Sequence, residues 1–387
     1  MENKKSKNLV VISGVLHGHF TGSVEIVREL VSFGYNVTCY VLDQFADRMK
    51  NVGAKIVVLN IDRSDFKTLV PPDAPPYAVN SFIVGRAIDG ILTLLPKDET
   101  KYDYYLFDSF LDVLEMNKIL KIPTEKISLI YSAFLFSDED QINPLRVSGL
   151  KAVNEKYNIN LGDFILIHYV PNKFKKLLLT SKLFHLRGEQ VDDTCYFIGP
   201  NVEKREIDQN FKFKKDKNKK LIYISLGTIF HFQDKFYETC IEAFRDSKEY
   251  QVIISVGQFT DINAFKDLPK NISIYNYVPQ TQLLPDVDIF ITHCGLNSIS
   301  EGLLAGCQII AIPQRYDQFD NSRRIEQLEA GIFLDKNKIK ITVDVLKNAV
   351  NELRINKEKY KKGLDKIVES FKEVIDNRKN VYEKIFV

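Results

Sequence analysis

Residues 288–313 read "DIFITHCGLNSISEGLLAGCQIIAIP". Two short apolar runs, 288–292 and 308–312, bracket a polar turn and a segment of helical spacing. In that segment Ile299, Leu303 and Leu304 share one face. Strand, helix and strand in this order predict two parallel neighbours joined by a crossover helix. The polar residues His293, Gly295, Asn297, Ser298 and Glu301 then fall where the first strand ends and the helix starts.

The same alternation runs outward in both directions. Downstream of residue 220 the apolar runs are 221–225, 251–256, 272–275, 288–292, 308–312 and 332–334. Upstream they are 9–13, 36–42, 55–59, 104–107, 127–131, 176–180 and 195–198. Between the first two lies "SVEIVRELVSFG", with Val24, Val27, Leu30 and Val31 on one helical face and Gly34 as the stop. "PPDAPP" at 71–76 reads as a rigid loop. Residues 201–220 are charged and poor in apolar side chains, which marks a connection between two bodies. The expectation is an α/β protein of two doubly wound domains facing across a cleft. Residues 1–205 form the first, 206–219 the linker and 220–369 the second. Two helical segments, 343–356 and 357–386, close the chain, and the stretch at about 370–387 packs back on the first domain.

The totals agree with two soluble domains. The 387 residues exceed one ordinary core. Hydrophobic residues make up 45% and the formal net charge is only +2, so no nucleic-acid surface is implied. No apolar run approaches the ~20 residues that span a bilayer. "MENKKSKNLVVISG" holds too short an apolar run for a signal peptide and reads as a first strand. Five scattered Cys, without metal-like pairing, suit a reduced, cytoplasmic protein.

In a doubly wound sheet the ligand sits beyond the carboxyl ends of the strands. Free N–H groups at a helix start attract a phosphate there, and His293 and Ser298 can add donors. Gly295 allows a tight turn or a close ligand approach. Ser298 and Glu301 also fit a capping box that needs no ligand. After the next strand, Asp317 and Gln318 sit where a helix begins, suited either to capping it or to binding hydroxyls. Upstream, "NYVPQTQLL" offers Tyr277 before a fixed Pro, a stacking platform or a packed loop. In the first half, His19 follows the first strand in a Gly-rich loop flanked by Gly18 and Gly22. It can accept a proton near neutral pH, with Asp108 holding its other ring nitrogen.

Tyr277-x-Pro-Gln280, followed by "THCGLNSISEGLLAGCQIIAIPQRYDQFDNSRR", resembles the donor-binding signature of family 1 UDP-glycosyltransferases, most of all the bacterial macrolide-glycosyltransferase type. "ISLGTIF" at 224–230 and "LVVISGVLHGHFTGSVEIVRELVSFGYNVTCYV" are similar to that family's phosphate loop and N-terminal unit. The resemblance implies a GT-B fold and inverting, metal-independent transfer of a hexose, glucose before others, from a UDP-sugar to a hydroxyl of a small apolar acceptor. It implies His19 as catalytic base and Asp108 as its acidic partner. Thr228, His293, Asn297 and Ser298 would hold the diphosphate and Glu301 the ribose. Tyr277 would stack on the base and Gln280 contact the nucleoside, with Val278 and Gly295 also at the donor. Asp317 and Gln318 would bind sugar hydroxyls. No cofactor is expected beyond the UDP-sugar co-substrate, and no stable membrane insertion. The chain departs from the family pattern at Thr21-Gly22, where Asn-Pro is usual, and at Tyr277, where Trp is usual.

Other readings remain open on residues alone. Gly14, Gly18, Gly22 and Asp43 loosely imitate a dinucleotide fingerprint, but the spacing is wrong. A non-catalytic auxiliary protein would lack His19, Asp108, His293 or Glu301. A membrane-surface glycolipid synthase would use the basic, apolar "NKFKKLLLTSKLF", which reads better as a strand. His17 is the weaker candidate base, and "DVD" at 286–288 is read as a turn rather than a metal site.

Overall fold

The computed structural model describes residues 6–15, 17–61, 76–131, 144–161, 173–203, 207–227, 234–258, 260–315 and 317–387. The loop at 71–75 and Thr228 lie outside them. The chain divides into two compact units. One comprises Met1–Ser181, Glu189–Glu203 and Val374–Val387, and the other Lys182–Gly188 and Lys204–Glu373.

The first unit carries the parallel strands β1 (Asn8–Ile12), β2 (Asn36–Leu42), β3 (Lys55–Leu59), β4 (Tyr104–Asp108), β5 (Ile127–Tyr131), β6 (Lys175–Leu178) and β7 (Cys195–Phe197). Their order is β3-β2-β1-β4-β5-β6-β7. The second unit carries β8 (Lys220–Ser225), β9 (Tyr250–Ser255), β10 (Ile272–Tyr275), β11 (Ile289–Thr292), β12 (Gln308–Ala311) and β13 (Gly331–Phe333), in the order β10-β9-β8-β11-β12-β13. The central strands are short and almost wholly apolar because crossover segments cover both faces. Leu9–Ile12 and Leu221–Ile224 are buried outright. Strand order reverses between β1 and β4 in one sheet and between β8 and β11 in the other. A crevice opens at such a reversal, because the connections on either side leave in opposite directions.

Helix α1 (His17–Ser32) packs Val24, Ile26, Val27 and Leu30 into the first core. It begins at His17, so His19 lies in its first turn and not in a loop. Helix α2 (Val113–Leu120) is capped by Asp112, whose carboxylate accepts from the Glu115 N–H at 3.1 Å. The second unit adds α3 (Leu296–Leu304), α4 (Asp317–Gln327), α5 (Val343–Ile355) and α6 (Lys357–Asp376). A further helix, α7 (Arg378–Ile385), follows after Asn377. The chain thus ends in three helices rather than two. The breaks fall at Asn356 and Asn377, residues that leave a helix more readily than they extend it.

Buried Arg378 fastens α7 to the first unit, donating to Glu29 at 2.7 Å and to the Pro200 carbonyl at 2.6 Å. Tyr382 Oη reaches the same Glu29 at 3.0 Å. Residues 207–220 run along the second unit. The Asp208 N–H donates to Gln282 at 2.9 Å, and Lys215 pairs with Asp288 at 3.1 Å. The basic, apolar stretch near residue 176 forms β6 rather than a surface helix: Lys176 is fully buried there, its ammonium donating to the Phe174 carbonyl at 3.0 Å, and Leu177 and Leu178 are buried in the same strand. Among the described residues no helix is long and apolar enough to cross a membrane.

Candidate active site

Both candidate centres sit at the two reversal points. In the first unit β1 ends at Ile12 and β4 at Asp108, two adjacent strands. His19 Nδ1 lies 3.1 and 3.2 Å from the two oxygens of Asp108. The carboxylate is fully buried and the imidazole about one-fifth exposed. The Phe110 N–H donates to Asp108 Oδ1 at 2.8 Å, and its ring lies 4.8 Å from that of His19. Asp108 therefore does not cap the following helix. An ionised carboxylate only accepts, so Nδ1 carries the ring proton and Nε2 the lone pair.

Gly14 makes this pair possible. A Cβ there would stand 2.3 Å from His19 Cβ and 2.9 Å from Asp108 Oδ2. With His19 and Asp108 this close, Gly14 has no open face for a dinucleotide. Gly18 and Gly22 lie inside α1.

In the second unit the centre is built on β8, β11 and their loops. The His293 ring occupies a slot between two glycines. A Cβ on Gly227, which has φ +80°, would lie 2.7 Å from Nε2, and a Cβ on Gly295 would also lie 2.7 Å from it. Burial lowers the His293 pKa to about 4, partly opposed by the Ser225 carbonyl. Its Nδ1 is buried and makes no hydrogen bond among the described residues. His293 is therefore neutral, its ring carrying one N–H.

The left-handed residue of the turn is Cys294, φ 64°, while Gly295 has an ordinary φ of −62°. Gly295 is thus needed for the close approach of the His293 ring, not for the turn. It is also the N-cap of α3, which has no side-chain cap. As at any helix start, the first-turn amides of α3 point toward its N-terminal end. The Ser298–Glu301 capping box does not form, because Ser298 lies three residues beyond the N-cap. Instead Gln280 Nε2 donates to Glu301 Oε2 at 2.6 Å and to Ser298 Oγ at 3.3 Å. Glu301 is buried, and Leu304, expected in the core, is only half-buried.

Tyr277 is about half exposed, whereas the Val278 side chain is buried. Asp317 opens α4 and is half-buried. Gln318 is buried, and its Oε1 accepts from the Gln314 and Arg315 N–H groups at 2.8 and 3.1 Å. With its carbonyl oxygen held by these two N–H groups, the polar group Gln318 has left to offer is its –NH2. Asn321 ties α4 to the turn, donating to the Cys294 carbonyl at 2.8 Å. Asp288 accepts from the Leu221 N–H at 2.8 Å as well as from Lys215, so its carboxylate serves the β8 entry. Among the described residues no cluster of three metal-binding side chains occurs.

Sequence reasoning gave no role to Phe110 or Asn321, and it read Gly14 and Gly227 as parts of ligand loops rather than as the glycines that admit His19 and His293. The only early signal was a glycine just beyond the end of a central strand, in "VISG" and "ISLG".

Comparison with known proteins adds a lineage. Residues 209–373 match a family model described as UDP-glucoronosyl and UDP-glucosyl transferase. NDP-glycosyltransferase YjiC of Bacillus licheniformis is 30% identical, covering 84% of this chain and 84% of that protein. Oleandomycin glycosyltransferase of Streptomyces antibioticus is 25% identical over 83% of this chain and 77% of its own length. Among solved structures, the glycosyltransferase of kitacinnamycin superposes with a TM-score of 0.77 at 22% identity, covering 98% of both chains. The two parallel-sheet α/β units are those of the GT-B fold.

Proposed function

Because this chain belongs to the UDP-glucoronosyl and UDP-glucosyl transferase family and is a UDP-sugar glycosyltransferase, we propose that it transfers glucose from UDP-glucose to a hydroxyl of a small apolar acceptor, with inversion and without a metal ion. The observation that carries this reading is the His19–Asp108 pair, 3.1 Å apart at the reversal of the first sheet. His19 Nε2 takes the hydroxyl proton as the oxygen attacks the anomeric carbon from the face opposite UDP. The bond from that carbon to the diphosphate oxygen breaks, and UDP leaves with the electron pair. Asp108 stabilises the imidazolium that forms.

On the donor side, the first-turn amides of α3 and the His293 N–H meet the diphosphate, which removes the need for a cation. Glu301 accepts from ribose hydroxyls, Tyr277 stacks on the base, and Asp317 with Gln318 addresses the sugar. The oleandomycin glycosyltransferase relative supports an apolar natural-product acceptor such as a macrolide, another polyketide or a phenol.

UDP release from UDP-glucose, measured across such a panel with EDTA present, tests this reading. Products are identified by mass spectrometry and their anomeric configuration by NMR. An inverted glucoside supports it. Retention of configuration, turnover only with another nucleotide sugar, or recovery only on adding Mg²⁺ would each overturn the part concerned.

A further inference from the structure

Gln314 lies in the turn between β12 and α4, and nothing in the reaction yet uses it. It is a buried amide with every polar atom engaged. Its N–H donates to Gln318 Oε1, its Nε2 donates to the Ile312 carbonyl at 2.8 Å, and its Oε1 accepts from Lys336 Nζ at 2.7 Å. These contacts fix which way each amide faces. Turning Gln314 over would set its –NH2 against an ammonium and its oxygen against a carbonyl. Turning Gln318 over would set its –NH2 against the Gln314 and Arg315 N–H groups. Neither reversed state keeps a hydrogen bond.

We propose that Gln314, anchored by Lys336, is the positioning residue for the sugar end of the donor site. It fixes the Gln314–Arg315 backbone so that Gln318 turns its –NH2, and never its carbonyl, toward the donor. Gln318 therefore recognises an oxygen lone pair on the sugar, while neighbouring Asp317 supplies the acceptor for hydroxyl protons. This rests on the reading of Asp317 and Gln318 as the sugar end. Lys336 acts from the exposed loop after β13, through Gln314 and the Gln314–Arg315 backbone rather than on Gln318 directly.

The test compares UDP with UDP-glucose by isothermal titration, using Lys336→Met, Lys336→Arg, Gln314→Leu and Gln318→Ala. Lys336 is exposed, so its replacement leaves the fold intact even if Gln314→Leu does not. Lys336→Met should weaken UDP-glucose binding by about three- to tenfold, the scale of one hydrogen bond, with UDP nearly unchanged. Lys336→Arg should restore it, and Lys336→Met should add little to Gln318→Ala. If Gln318→Ala weakens UDP-glucose selectively but Lys336→Met does not, the positioning role is refuted and the sugar-end reading stands. If Gln318→Ala spares UDP-glucose, or weakens both ligands equally, the sugar-end reading itself falls.

Discussion

Replacing Gly14 by Ala adds one methyl group at the point where the proposed base is built. The new Cβ would fall 2.3 Å from His19 Cβ and 3.0 Å from the His19 carbonyl carbon. Carbon atoms in contact settle at about 3.5–4.0 Å, so more than about 1 Å of separation must be found. The obstructing atoms are backbone or fixed to it, and no rotamer change moves them. Either the start of α1 or the end of β1 has to shift. The His19–Asp108 contact, at 3.1 Å, is already at the long end for an N–H···O bond and does not survive such a displacement. A misplacement of about 1 Å costs on the order of 10²-fold in rate. The stability cost of overpacking is about 1–3 kcal/mol. Turnover of Gly14→Ala should therefore fall about 100-fold, with UDP affinity close to the parent value because the donor residues lie in the other unit. Steady-state kinetics, UDP titration and a melting curve measure the three quantities. Turnover within threefold of the parent in a folded Gly14→Ala protein would refute the reasoning, because the dyad would then not depend on its packing.

Three further outcomes follow from the same geometry. His19→Ala should lower turnover by roughly 10²–10⁴-fold with UDP binding kept, and Asp108→Asn should also lower turnover; an inactive His17→Ala beside an active His19→Ala would reverse the assignment. Glu301→Ala should weaken UDP by about 1.5–3 kcal/mol, as expected for a lost bond to a charged group; titration with UDP and 2′-deoxy-UDP checks this, and an unchanged preference for the ribose form counts against the contact. Burial holds His185 and His293 near pKa 4, below their ordinary 6.5. The unfolded chain then binds protons that the folded one refuses, so their contribution is complete above about pH 6.5 and declines toward pH 4. Melting temperature should drop over that range and both ring signals should titrate below pH 5 by NMR; titration near 6.5 would show the rings to be solvated.

The strands were legible because buried parallel strands are short apolar runs, and every run read from the sequence lies on a strand of the two sheets. The helix starts were not. A glycine-flanked His19 looks the same in a loop as in the first turn of α1, since the choice depends on what packs above it. The Ser298–Glu301 pair has the spacing of a cap, but the helix begins at Leu296 and the pair is bound across the fold by Gln280. That the Gln318 carbonyl is held by the Gln314 and Arg315 N–H groups was not legible, because backbone N–H groups are invisible in a string of letters. Each correction concerns a contact made by folding rather than a local preference.

The two histidines show why such contacts decide function. Each follows a central strand at a reversal of its sheet, and each is packed against glycine: His19 through its Cβ and backbone on Gly14, His293 through its ring between Gly227 and Gly295. His19 has a buried carboxylate on Nδ1, which orients the ring and stabilises its protonated form. His293 has no acidic partner among the described residues, and burial keeps it neutral. In the proposed reaction a proton would be taken up at His19 without changing the charge at His293. Exchanging the partners would impair both sites: an ion-paired His293 would compete with its own diphosphate, and an unpartnered His19 would lose its tautomer. In the proposed reaction the division of labour between base and phosphate grip would thus rest on the presence or absence of one carboxylate, a difference that neither "HGHF" nor "THCG" spells out.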